Sequence, residues 1–280
     1  MIMEYFELND GNKLPAIGFG TFQIPADITA HAVKTAIDIG YRHIDGAAIY
    51  RNEPEVGIGL KRSGINRDSV FVTSKLWNSH RGFKQAIEAC DKTLLDLGLE
   101  YLDLYLIHWP ANSNQFPQWE ELNYDSWRAL ESLQHAGKVK SIGVSNFLHH
   151  HLESLLKNAS IIPSVNQIEI HPGHQQLELR RWCQANNILI EAWSPLAQGR
   201  ILQIDTITQI SEKYQKTPAQ ICLRWSIQHG LLPLVKTISE NRMSDNIHIW
   251  DFTIDLEDME RLDMITPQGY SGYHPDTVQF

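Results

Sequence analysis

Short apolar runs alternate with amphipathic stretches along the chain. The runs IGFGTF at 17–22, YRHID at 41–45, VFVTSK at 70–75 and YLDLYLIH at 101–108 have the length and residue types of buried strands. VKSIGVS at 139–145, SVNQIEI at 164–170, ILIEAWS at 188–194 and LLPLVK at 231–236 continue the series. Between them apolar residues recur at helical spacing. Helices are predicted over 28–40, ending at Gly40, over 53–64, over 82–97, over 124–135 and near 148–157. Others follow near 176–186, as a pair within 203–228, and at 239–247. Pro218 suits the first turn of the second helix of that pair. Ahead of the series, YFEL and KLPAI flank Asn9-Asp10-Gly11-Asn12, a hairpin signal over 5–17. Behind it, DLEDMERLDMI at 255–265 predicts an extra helix before a tail with Gly and Pro.

Strand–helix units at this spacing imply parallel strands, because each crossover helix returns the chain to begin the next strand. Eight units in 280 residues predict an α/β fold: a closed (β/α)8 TIM barrel with an N-terminal hairpin and extra C-terminal helices and loop. The whole of 1–280 is expected to form one domain. A doubly wound open sheet is the competing architecture.

Composition narrows the class. With 42% hydrophobic and 20% charged residues, an ordinary water-soluble core is expected. No apolar run is long enough to span a bilayer, and the first residues lack a basic segment followed by an apolar one. The net charge of −9 argues against a nucleic-acid partner. Cys90, Cys183 and Cys222 are odd in number, far apart and without a CxxC pair, so free thiols in a reducing cytoplasm are expected.

Candidate chemistry collects at strand ends. Asp45, Lys75, His108, Ser145, Gln167, Trp193 and Lys236 all stand at or just past a predicted strand C-terminus, where barrels of this class place their active sites. Tyr50 follows Asp45 by five residues. A free phenol has a pKa of about 10, and a neighbouring ammonium, here Lys75, lowers it. Asp45 pairing with Lys75 keeps that ammonium charged, and His108 can donate to a carbonyl oxygen. Such a set protonates a developing alkoxide while a hydride arrives from elsewhere. Side chains supply no hydride, so a nicotinamide cofactor is expected.

The motifs GFGTF (18–22), HIDGAAIYRNEPEVG (43–57), TSKLWN (73–78) and YLDLYLIHWP (101–110) resemble those of the aldo-keto reductase superfamily. GKVKSIGVSNF (137–147), NQIEIHP (166–172), AWSPLAQG (192–199) and VKTISENRMSDN (235–246) extend the resemblance over nearly the whole chain. Length and Trp193 make it similar to the bacterial branch that includes 2,5-diketogluconate reductases. The resemblance implies Tyr50 as general acid, with Lys75, Asp45 and His108 as partners. It implies that Ser145, Asn146 and Gln167 hold the nicotinamide carboxamide of NADPH, and that Trp193 stacks on the ring. Lys236, Thr237 and Arg242 match the positions that grip the 2′-phosphate, and Asn246 faces the adenine. A Lys and an Arg near a helix N-terminus suit a phosphate, which favours NADP over NAD. Ser194, Leu196 and Gln198-Gly199 resemble the loop over the pyrophosphate. Phe22, Trp77 and Trp109 are expected to wall the pocket of a small carbonyl substrate, with Trp119 and Tyr270 or Tyr273 as further candidates. A monomer is expected. Three positions depart from the family's habit: Gly46 for Thr, Val235 for Pro and Phe22 for Trp.

Plainer readings exist for each residue. Tyr50 alone reads as packing, Lys75 as a surface lysine or a Schiff-base nucleophile, Asp45 as a cap and His108 as a core histidine. GFGTFQ at 18–23 nearly spells GxGxxG but lacks its last glycine, so its glycines are read as bringing the backbone close to cofactor or substrate, with Gly20 and Thr21 expected among the cofactor contacts. His149-His150-His151 reads as a solvated helix start, His171 and His174 as loop residues without a third ligand, and no metal is expected. Glu120 and Glu121 read as a solvated loop face, and Trp127, Trp182 and Trp225 as core. A nucleotide-binding subunit without catalysis and a Schiff-base lyase are the competing functions.

Overall fold

The computed structural model describes residues 4–280. Strands β1 (Tyr5–Glu7) and β2 (Lys13–Pro15) pair antiparallel as the expected hairpin, with Phe6 opposite Leu14. Then comes the alternating series: β3 (Gly18–Gly20), α1 (Ala26–Ile39), β4 (His43–Asp45), α2 (Glu53–Ser63), β5 (Phe71–Leu76), α3 (Phe83–Leu97) and β6 (Leu102–Ile107). It continues with α4 (Trp119–His135), β7 (Val139–Ser145), α5 (His149–Leu156), β8 (Val165–Glu169), α6 (Leu177–Ala185) and β9 (Leu189–Trp193). Helices α7 (Asp205–Tyr214) and α8 (Pro218–Gln228), strand β10 (Leu232–Val235), α9 (Glu240–Ile247) and α10 (Leu256–Asp263) complete it. Strands β3 to β10 form a closed parallel barrel, β10 pairing with both β9 and β3, so the open-sheet alternative falls.

Local chemistry explains the boundaries. Gly40, at φ 130°, ends α1 in a conformation L side chains rarely adopt. Pro218 opens α8, and Thr217 caps it in a box with Gln220. The expected helix over 124–135 starts earlier, at Trp119. Glu120 and Glu121 therefore lie in a first helical turn, where negative charge offsets the helix dipole, rather than in a loop. Both remain exposed.

The barrel interior is divided by height. At the N-terminal end the hairpin works as a plug: Leu8 and Leu14 pack with Phe71, Leu104, Leu106, Val165 and Leu232. Outside the sheet, Tyr41, Trp127, Phe147 and Trp225 fill the layer beneath the helices. Trp182 is only half-buried, tilted against His149, and so is not core as expected. The three cysteines are free and buried, and burial pushes each thiol up to about 12. No described helix is long and apolar enough to cross a membrane.

Candidate active site

The C-terminal ends of the strands bring the four expected residues together. Asp45 closes β4, Lys75 lies near the end of β5, His108 follows β6 directly, and Tyr50 ends a short 3-10 turn at Ala48–Tyr50. The Lys75 ammonium donates to both Asp45 oxygens at 2.8 Å, to the Gly46 carbonyl at 2.9 Å and to the Tyr50 hydroxyl at 3.5 Å. The rings of Tyr50 and His108 meet edge to face at 5.8 Å.

Their electrostatics follow from burial and from Lys75. Lys75 is fully buried, which alone would lower its pKa, yet the attraction of Asp45, Tyr50 and Glu191 together holds it above the ordinary value. Burial and the nearby ammonium push His108 well below the usual imidazole range, so its ring is neutral at pH 7. Tyr50 corrects the expectation of an acidified phenol. Burial raises its pKa, and the Lys75 charge offsets that only in part. The phenol therefore stays protonated at neutral pH.

A second network sits across the barrel. Ser145 donates to the Gln167 carbonyl at 2.8 Å, and Asn146 Nδ2 donates to the His108 carbonyl at 2.9 Å. The Trp193 indole donates to Asn146 Oδ1 at 2.9 Å, which fixes its ring. Asn146 holds the left-handed φ of 63° that lets its side chain turn this way. Gln167 Nε2 donates to Asp45 Oδ1 at 2.9 Å and to Glu191 Oε2 at 2.7 Å. Glu191, like His43 beneath Asp45, went unnoticed in the sequence. The available signal was a carboxylate inside an otherwise apolar barrel strand, since Glu is almost never fully buried without a partner.

The remaining candidates distribute around the barrel mouth. Thr21 is fully buried, and its amide and hydroxyl both donate to the Asp45 carbonyl, at 2.9 and 3.0 Å. It braces Asp45 rather than facing outward. A Cβ at Gly18 would lie 2.3 Å from Leu234 Cδ2 and 2.7 Å from His43 Nδ1, so that glycine answers to barrel packing. Gly20 has ordinary clearance over Val235 and Lys236. Ser194, Ala197 and Gln198 all take positive φ without being glycine, a cluster of backbone strain in the loop after β9 that also holds the half-buried Leu196. Lys236 and Arg242 are exposed beside the N-terminus of α9, with no carboxylate in ion-pair distance among the described residues. Thr237 Oγ1 accepts from the amide of Ser239, the α9 cap, and Asn246 is buried on the same helix.

Phe22 lies 4.9 Å from the Tyr50 ring and Trp77 lies 5.2 Å from His108. Phe280, which the sequence did not single out, stacks on Trp77 at 5.7 Å and meets Trp109 edge-on at 5.2 Å. Tyr273 packs against Trp109 at 6.5 Å, whereas Tyr270 stacks on His174 and Trp119 meets the His150–His151 pair edge-on. Those histidines are not simply a solvated helix start: His151 is buried, and both rings approach Asp276 of the tail, at 3.1 and 3.3 Å. His151 Nδ1 accepts from the Leu148 amide, so the neutral ring carries its proton on Nε2, facing Asp276. That nitrogen lies 3.3 Å from Asp276 Oδ1 without making a hydrogen bond to it. A separate concavity at the N-terminal end, lined by Lys13, Arg42 and Lys140, holds none of these four candidates, Asp45, Tyr50, Lys75 and His108; its Asp103 is already paired with Arg67 and Lys140.

Comparison with known proteins identifies the family. Residues 16–267 match the model of the aldo/keto reductase family. Glyoxal reductase of Bacillus subtilis is 46% identical over 275 residues, covering 98% of this chain and 97% of the relative. Methylglyoxal reductase DkgA of Escherichia coli is 39% identical over 271 residues, covering 96% of each. Among solved structures, the NADPH complex of a Gox0644 variant superposes with a TM-score of 0.93 at 38% identity, covering 100% of both chains. An aldo/keto reductase from Brucella melitensis gives 0.89 at 44% identity, over 94% of this chain and 99% of that one. The chain is an oxidoreductase and belongs to the aldo/keto reductase family.

Proposed function

We propose that the protein reduces aldehyde and ketone carbonyls to alcohols with NADPH, Tyr50 giving the proton. The observation that carries this is the Lys75 ammonium, bound to both Asp45 oxygens and within 3.5 Å of the Tyr50 hydroxyl at the mouth of the barrel. The bound nicotinamide supplies the hydride. Tyr50 donates to the developing alkoxide, Lys75 stabilises the resulting phenolate, and the neutral His108 orients the carbonyl oxygen.

The residues fit the cofactor. Both Gln167 Nε2 hydrogens are committed, which leaves its Oε1 to accept from a carboxamide. Trp193 is pinned by Asn146 as a stacking platform. Lys236 and Arg242 stand unpaired among the described residues at a helix N-terminus, as a 2′-phosphate requires. Phe22, Trp77, Trp109 and Phe280 offer aromatic walls to a small carbonyl. The relatives named glyoxal and methylglyoxal reductase favour short dicarbonyls as substrates. The whole chain acts as one domain and a monomer, and three buried thiols suit a reducing cytoplasm.

Tyr50→Phe is expected to lower the NADPH-dependent reduction of methylglyoxal by about 100- to 10,000-fold, the usual worth of a positioned acid. NADPH should still quench the protein's tryptophan fluorescence with unchanged affinity. Full turnover in the variant would sink the assignment. A wild-type protein that binds NADPH yet reduces no aldehyde or ketone would instead support a binding subunit. A Schiff-base lyase finds no support, because Lys75 is buried, charged and saturated by Asp45.

A further inference from the structure

Beneath the catalytic set, two carboxylates share one nitrogen. Gln167 Nε2 gives one hydrogen to Asp45 and the other to Glu191. Asp45 has a cation on both of its oxygens, while Glu191 has none in contact. The nearest candidate is His43, whose Nε2 lies 4.0 Å from Glu191 Oε1. Both residues are fully buried, and Glu191 Oε1 has no hydrogen-bond partner. Two buried negative charges against a single ammonium is an arrangement that a protein interior resolves by keeping one carboxyl protonated.

We propose that Glu191 is a positioning residue for the reaction: protonated at neutral pH, it fixes the Gln167 amide with its oxygen toward the cofactor, and its ionisation places a second negative charge under Lys75 and Tyr50. The inference rests on the reductase reading for its effect on rate. Its structural half stands on the geometry alone.

The surroundings all point the same way. The titratable groups facing Glu191 are Asp45 and His43 from β4 and Lys75 from β5, with Tyr50 beyond Lys75. Its register partners, Gln167 on β8 and Leu232 on β10, do not titrate. Burial first, then the Asp45 charge, push the Glu191 carboxyl up to about 8. Burial and Lys75 push His43 down to about 3, so His43 provides no compensating charge. When Glu191 releases its proton to solvent, the added charge opposes phenolate formation at Tyr50. Donation of the Tyr50 proton therefore slows as pH rises through that range.

The test uses two variants of the whole protein. E191Q keeps an acceptor for Gln167 but cannot titrate; E191L removes the acceptor and leaves a Gln167 N–H unsatisfied. In infrared difference spectra against E191Q, the wild type should show a protonated-carboxyl stretch near neutral pH that vanishes as pH rises through about 8. In carbonyl reduction, the wild-type alkaline inflection should move upward in E191Q. E191L should bind NADPH about tenfold more weakly by fluorescence titration, with E191Q close to wild type. Absence of the infrared band, identical pH profiles for wild type and E191Q, or wild-type NADPH affinity in E191L would each overturn the proposal. Should the wild type reduce no carbonyl at all, the reductase reading fails, while the infrared and binding measurements still decide the role of Glu191.

Discussion

Lys75 is the only cation in hydrogen-bond contact with the Asp45 side chain among the described residues, and both side chains are buried. Removing one member of such a pair strands the other charge. Lys75→Met is therefore expected to cost about 3–5 kcal/mol of stability, read as a lowered urea midpoint, and to abolish turnover. Replacing Asp45 by Leu in the same chain should recover most of the stability and none of the activity. A single variant as stable as wild type would contradict the pairing argument. Because the Lys75 pKa is raised by folding, its contribution is fully present below its unfolded value of about 10.5 and is lost only as pH rises through the folded one. At this scale the meeting of Asp45, Tyr50, Lys75 and His108 was legible, because each ends a strand or follows one. The direction of the Tyr50 shift was not. Its charged neighbour can be guessed from spacing, but the depth of burial that outweighs it is set by residues far apart in the chain.

At the scale of elements, Glu53 fastens three of them. From the first turn of α2 it accepts from Ser74 of β5 at 2.6 Å and from Thr93 of α3 at 3.2 Å. Burial raises its carboxyl to about 7 despite those bonds. A folded pKa above the unfolded one means that folding favours the protonated form. The contribution is complete below about pH 4.5 and is lost as pH rises toward 7. Glu53→Gln should therefore flatten the stability profile across that window, removing a decline on the order of 3 kcal/mol measured by urea midpoint. An unchanged slope would mean that Glu53 is ionised in the folded protein throughout. The order and type of every barrel element could be read from hydrophobic periodicity, because each strand is buried on both faces and each helix on one. The early start of α4 could not, since Trp119 and the two glutamates after it carry no strong cap signal.

At the scale of the whole molecule, the C-terminal tail closes a wall that the barrel alone leaves open. Asn112, fully buried after β6, donates to the carbonyls of Pro275 at 3.0 Å and Val278 at 3.3 Å. Asn78 holds the Phe280 carbonyl at 2.8 Å, and Glu169 accepts from the amide and hydroxyl of Ser271. These bonds carry Phe280 onto Trp77 and Trp109. No periodicity marks such a tail, so its path was illegible; only folding brings 112 beside 275. The bonds tie the tail to the barrel rim rather than the strands to one another, so losing one should loosen the wall without unfolding the barrel. Asn112→Ala should raise KM for an apolar aldehyde several-fold, lower kcat much less, and leave NADPH affinity unchanged. The same change should speed proteolytic cleavage beyond position 267, because the freed carbonyls exchange a buried donor for water at a cost of about 1–3 kcal/mol. If KM and cleavage both stay at wild-type values, the tail is held by its aromatic contacts and by Asn78 and Glu169, and Asn112 is no part of the clamp.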